Sequence, residues 1–106
     1  MKVYLDDERT TPEGWTRTFT PKETIDLLKT RQVTELSLDH DLGDDAGIGT
    51  GYDVLLWLEE EMYNDITFPT PQITVHSANT SARIKMLHAV TAIMRRRQEQ
   101  LKSHNQ

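Results

Sequence analysis

The sequence predicts an α/β fold, a mainly parallel sheet of about four strands with helices packed on it. Three observations lead there. Short β-favouring runs at residues 2–5, 15–19, 36–38 and 73–75 are spread along the chain, not clustered as hairpins. Stretches of helical periodicity separate the later runs. Three of the runs stop abruptly at polar clusters, as strands do where a parallel sheet meets its ligand-binding edge.

Lys2 to Leu5 is short and apolar, and it ends at Asp6-Asp7-Glu8-Arg9, which reads as a buried strand running into a polar loop. Thr10-Thr11-Pro12-Glu13-Gly14 is turn chemistry. Nine residues from Asp6 to Gly14 are too few for a packed crossover helix. Extended, they reach up to about 30 Å, enough to return along a short strand as a bare loop. Residues 15–19 alternate large and polar side chains, as a half-exposed strand does. Thr20-Pro21-Lys22-Glu23 supplies a capping hydroxyl, a proline at the first helical position and a glutamate placed for a capping box, followed by Ile25 and Leu28 on one face.

Leu36-Ser37-Leu38 is the next strand and enters Asp39-His40-Asp41-Leu42-Gly43. A loop follows to Thr50, with Gly43, Gly47, Gly49 and Gly51 permitting a tight path. Tyr52, Leu55, Leu56, Leu58, Met62 and Tyr63 form a helical apolar stripe that Phe68-Pro69-Thr70-Pro71 interrupts. Ile73-Thr74-Val75 is the last strand and ends at His76-Ser77-Ala78-Asn79. Asn79, Thr80 or Ser81 can cap a final helix burying Ala82, Met86, Ala89, Val90 and Ile93. One domain spanning residues 1–97 is expected, with 98–106 a frayed basic tail.

Composition excludes several classes. No cysteine is present among the 106 residues, which rules out disulfides, thiolate catalysis and cysteine-ligated metals. Hard chemistry falls to Asp, Glu, four His and hydroxyls. No apolar run approaches the roughly 20 residues of a membrane span, and acids follow the N-terminus too closely for a signal peptide, so a cytoplasmic location without membrane contact is expected. Charge is split: through Ala82, 6 bases face 16 acids, a balance of −10, while from Arg83 onward 6 bases face one acid, +5. The acidic body argues against duplex DNA across a broad face. Arg95-Arg96-Arg97 reads as a solvated helix end, where bases suit the last carbonyls, before it reads as a phosphate strip. The sequence specifies no oligomeric state; Met86, Met94 and Leu101 suit core packing better than a dimer contact.

Asp6-Asp7, Asp39-His40-Asp41 and His76-Ser77-Ala78-Asn79 fall at one edge of such a sheet, and their convergence is the strongest functional signal. A strand-end acid alone is commonly a turn former or cap, but clustered carboxylates repel and call for a bound cation or raised pKa values. Asp6, Asp7 and Asp39 suit a hard divalent ion such as Mg²⁺ or Mn²⁺. His40 and His76 add either imidazole ligation, which extends the choice to Zn²⁺, or proton transfer; each could instead serve only loop hydrogen bonding. His88 and His104 are assigned no role. Ser77 lacks a nucleophile elbow and is better suited to positioning a phosphate oxygen. Asn79, beside helix N–H groups, and Arg83, one turn later, can hold the same anion, although Arg83 reads equally well as a surface charge. Gly47-Ile48-Gly49-Thr50-Gly51 lacks the Walker lysine and reads as a rim near the site.

Taken in order, Asp6-Asp7, Asp39-x-x-Leu42-Gly43, Gly51-Tyr52-Asp53-Val54-Leu55 and Ser77-Ala78 resemble a response-regulator receiver domain over most of residues 2–95. The resemblance implies a compact receiver-like (Rossmannoid) sheet with Asp6 and Asp7 as a metal-binding pair, Asp39 as a phosphate-accepting aspartate and Ser77 contacting the phosphoryl group. The first crossover helix and the last strand, which carries the receiver lysine, are missing. Leu38-Asp39-His40-Asp41-Leu42-Gly43 together with Val75-His76-Ser77-Ala78-Asn79 is similar, more narrowly, to the cyclic-phosphate processing receiver domains. That likeness implies a constellation of Asp6, Asp7, Asp39, His40, Asp41, His76 and Ser77, and the phosphoesterase activity proposed for the family.

The expected function is a metal-dependent phosphoesterase acting on a small phosphorylated ligand, a cyclic nucleotide or an RNA 2′,3′-cyclic phosphate end. In it Asp39, Asp41, His40 and His76 would be catalytic, with His40 or His76 as proton donor. The alternative is a non-enzymatic receiver-derived module that binds a phosphorylated ligand or a protein partner. Asp39-x-Asp41 also resembles the acid pair of haloacid dehalogenase-type phosphotransferases, but the chain has no room for their cap.

Overall fold

The structure is a computed structural model that describes residues 1–41 and 47–104. Its strands β1 (Lys2–Leu5), β2 (Thr16–Thr18), β3 (Glu35–Leu38) and β4 (Gln72–Val75) form one sheet in the order β2-β1-β3-β4, every neighbouring pair parallel. Helices α1 (Pro21–Leu28), α2 (Gly51–Asn64) and α3 (Thr80–His104) complete a compact α/β receiver-like fold, the class and strand number the sequence predicts. Leu42 and Gly43 of the resemblance motif, and residues 44–46 of the expected loop, lie outside the described residues.

A bare loop does carry β1 to β2. Asp6 Oδ1 accepts the N–H groups of Glu8 (2.8 Å) and Arg9 (3.0 Å), which turns the chain out of β1. The Trp15 N–H donates to the Pro12 carbonyl at 3.2 Å and makes the second turn. At the start of α1, Thr20 Oγ1 accepts the Glu23 N–H at 3.1 Å, Pro21 occupies the first turn, and Glu23 Oε1 reaches back to the Phe19 N–H at 3.3 Å.

Strand alternation gives the sheet two different faces. Val3, Leu5, Leu36 and Leu38 are fully buried on one face against Leu28 of α1, Val54, Leu55, Leu58 and Met62 of α2, and Met86 and Ile93 of α3. Tyr4 and Ser37, aligned in the β1–β3 register, point to the other face. There Tyr4 meets Trp15 of the crossover loop edge-on at 6.2 Å and His76 face-on.

Two expectations are corrected. On α2 the core takes Val54, Leu55, Leu58 and Met62, while Leu56 and Tyr63 are exposed and Tyr63 lies under Arg96 at 5.2 Å. Bulk put Leu56 and Tyr63 in the expected stripe, but the helical period puts them off it. On α3 the helix continues to His104, through the stretch 98–104 read as tail from sequence, while residues 105–106 of that stretch lie outside the described residues. The Gln100 amide donates to the Met62 carbonyl at 3.0 Å, and Arg97 donates to Thr70 Oγ1 (2.8 Å), the Ile66 carbonyl (2.5 Å) and the Phe68 carbonyl. Arg97 of the basic triplet is thus a tether for the segment before β4. Met86 is core, Met94 is half-buried and Leu101 is exposed. Among the described residues no helix is long and apolar enough to cross a membrane.

Candidate functional site

The register builds the site. Leu5 pairs with Leu38 and Leu38 with Val75, so the next residue of each strand, Asp6, Asp39 and His76, stands in one row across three neighbouring strands. The ladder continues through that row: the Asp39 N–H donates to the Leu5 carbonyl (3.0 Å) and the His76 N–H to the Leu38 carbonyl (2.9 Å). One ligand atom from each of the three side chains lies within 4.8 Å of the others. A single cation can touch groups that close. The strand ends therefore meet as the sequence implied, although their chain separation is as long as 70 residues.

His76 is held on three sides. Its Nε2 lies 3.0 Å from Asp6 Oδ2 and its Nδ1 2.6 Å from Ser37 Oγ, while the ring stacks on Tyr4 at 4.3 Å and 4° from parallel. The imidazole leaves β4, passes over β3 and reaches β1. Ser37, beneath it on β3, is small enough to allow that passage.

The three groups differ electrostatically. Asp6 is fully buried. Burial pushes its carboxyl up, but the Arg9 and Glu8 N–H groups and His76 outweigh that and hold it below the ordinary 3.8. Asp39 goes the other way: burial first, and the negative charge of Asp6 second, raise it above 3.8 against the opposing His40 N–H. Burial also holds the His76 imidazole below its ordinary 6.5, against the pull of Asp6 and Asp39. Near neutrality Asp6 is a carboxylate and His76 a neutral ring. Two acids and an imidazole, with one acid raised by the other, form a donor set that a divalent cation would relax, and the imidazole suits Mn²⁺ or Zn²⁺ better than Mg²⁺.

The remaining expected residues ring this cluster. Among the described residues the close group does not include Asp7, which is half-buried beside Asp6. His40 and Asp41 pair with each other, Nδ1 to Oδ1 at 2.8 Å, with Asp41 exposed. Ser77 is buried directly after His76 and accepts the Asn79 N–H at 3.2 Å. Asn79 is the cap of α3, its Oδ1 accepting the Ala82 N–H at 3.1 Å; Arg83 is exposed on the first turn. The 25-residue helix α3 thus opens three residues beyond Ser77.

Three residues were missed from sequence. Ser37 and Tyr4 look like strand packing, and only the alternation that puts them opposite Leu36 and Leu38 signals another use. Gly51 reads as part of a flexible rim, yet a Cβ there would stand 2.0 Å from the Asp39 carbonyl oxygen. Only glycine lets the start of α2 lie against the backbone of the acid it supports. Thr50 caps that helix, with Asp53 Oδ2 accepting the Thr50 N–H at 2.8 Å.

A family model described as Cyclic-phosphate processing Receiver domain matches residues 1–92. No curated protein gave a match, and no solved structure did.

Proposed function

Starting from a chain that belongs to the cyclic-phosphate processing receiver domain family, we propose a metal-dependent phosphoesterase that opens a cyclic phosphate, on a nucleotide or an RNA 2′,3′-cyclic phosphate end. The observation that carries this reading is the 4.8 Å gathering of Asp6, Asp39 and His76. A bound divalent ion supplies positive charge for the developing phosphate anion and activates water near neutral pH. Asp6 and Asp39 hold the ion, and His76 completes its donor set through Nε2. His40 is then the proton donor to the departing oxygen. Asp41, hydrogen-bonded to Nδ1, orients that ring. Ser77 and the opening of α3, with Arg83 one turn on, receive the phosphate oxygens.

The test is turnover of 2′,3′- and 3′,5′-cyclic nucleotides with Mg²⁺, Mn²⁺ or Zn²⁺. His40→Ala is expected to lose about 10²- to 10⁴-fold in rate with ion binding retained. His76→Ala is expected to lose ion binding as well. No turnover of any cyclic substrate by the wild type, with calorimetric binding of a phosphorylated ligand, would instead establish the non-enzymatic binding module. Equal turnover by His76→Ala would end the phosphoesterase reading.

A further inference from the structure

We propose that Ser37 is a positioning residue that completes the hydrogen bonding of His76 in either tautomer and, by rotating one hydroxyl, lets the same ring face either a carboxylate or a cation. The half concerning the cation rests on the ion site proposed above; the half concerning the carboxylate does not.

The inference starts from hydrogen-bond complementarity. A neutral imidazole has one N–H and one lone pair. Asp6 Oδ2 can only accept, so across the 3.0 Å contact Nε2 carries the proton. Nδ1 then bears the lone pair, and at 2.6 Å the Ser37 hydroxyl donates to it. Ser37 is buried, as is Asp6, and the ring is clamped on Tyr4, so water is a poor substitute for either partner. A cation that takes the Nε2 lone pair requires the other tautomer. One proton leaves Nε2 for solvent and one arrives at Nδ1, so the ring stays neutral. Nδ1 is now the donor. A hydroxyl accepts as readily as it donates, so rotation about the Ser37 Cβ–Oγ bond satisfies the new arrangement with no buried polar atom orphaned. An alanine satisfies neither state. Groups one step removed from a metal in this way typically contribute 10- to 100-fold in metal affinity.

The experiment reads the ring directly. Nitrogen-15 spectra of the imidazole nitrogens of His76 would be taken for wild type, Ser37→Ala, Ser37→Val and Ser37→Thr, ion-free and with Zn²⁺, alongside Zn²⁺ calorimetry. The wild type is expected to show the Nε2–H form without ion and the Nδ1–H form with Zn²⁺. Ser37→Ala and Ser37→Val are expected to keep the Nε2–H form without ion, held by Asp6, with the Nδ1 resonance displaced by loss of its hydrogen bond, and to bind Zn²⁺ 10- to 100-fold more weakly. Ser37→Thr, which matches Val in bulk but keeps the hydroxyl, is expected to restore both. An ion-free wild type in the Nδ1–H form, or a Ser37→Ala protein with wild-type spectra and affinity, overturns the proposal. Equal losses in Thr and Val overturn it too, since bulk would then be the cause. If the wild type binds no Zn²⁺ but its Nδ1 resonance is displaced in Ser37→Ala and restored in Ser37→Thr, the ion site fails while the positioning role of Ser37 stands.

Discussion

The two faces of the sheet are built by opposite means. Beneath the helices, Val3, Leu5, Leu36 and Leu38 bury completely in an apolar layer that needs no directed contacts. Across the same strands, Tyr4, Ser37 and His76 form a stacked and hydrogen-bonded assembly roofed by a loop of ten residues at most, in which geometry replaces volume. One face holds the fold together by area removed from water. The other fixes both ring nitrogens of His76 by directed contacts. Because alternate residues of β1 and β3 serve both, each strand is stiffened from below so that it can aim groups above.

The sharpest way to break this division is from the apolar side. Leu36→Ala is expected to lower unfolding stability by about 2–5 kcal/mol, the range for truncating a fully buried leucine. Urea unfolding followed by circular dichroism measures it. Below the midpoint, ion affinity should stay near wild type, because no atom of the His76 network is touched; an equal loss of affinity would show that the faces are not separable. Gly51→Ala tests the seam between them. A Cβ 2.0 Å from the Asp39 carbonyl oxygen must displace backbone, and overpacking of this kind costs about 1–3 kcal/mol. Here calorimetry should show weaker ion binding together with the lower midpoint, since Asp39 itself is moved. Thr50→Ala removes the cap of α2 and is expected to cost about 1 kcal/mol in the same unfolding assay, with Asp39 less disturbed than by Gly51→Ala.

The smallest effect is a pH tilt, and it belongs to the polar face alone. His76 sits below its ordinary 6.5, so its contribution to stability is complete above 6.5 and is lost as pH falls through the folded value. Asp39, raised above 3.8, has the opposite sign: its contribution is present below 3.8 and lost as pH rises through its folded value. Asp6, depressed below 3.8, loses its contribution only as pH falls through that lower value. Thermal melts in chelator should therefore show a fall in midpoint on acidification below 6.5 that Asp39 partly offsets. His76→Gln is expected to flatten that fall. A wild-type midpoint that rises steadily from pH 7 to pH 5 would contradict the assignment of a neutral ring.

Much of this arrangement was legible in the residues. Short strands separated by helical stretches gave the parallel sheet, Thr20-Pro21 gave the start of α1, and the nine residues after Leu5 gave the loop crossover. The three polar strand ends gave the location of the site, because position on a parallel sheet follows from chain order. Selection among the polar residues was not legible. Asp7 and Asp41 stand one and two residues beyond Asp6 and Asp39, past the last ladder bonds, and Asp41 pairs with His40; register to a single residue is set by pairing. Ser37 was hidden because a hydroxyl between two leucines looks like tolerated packing until its face is known. The extension of α3 to His104 was hidden because its support comes from Arg97 and Gln100 reaching other segments, which local propensity does not record.

The row of Asp6, Asp39 and His76 also makes the site a witness to its own maturation. Parallel pairing joins segments far apart in the chain, which is slow because the intervening loops must close first. No species lacking the β3–β4 pairing holds His76 beside Asp6, so the three-ligand set of the proposed ion site would be complete only with that ladder in place. Until then a newly made chain would offer such an ion two carboxylates and no imidazole.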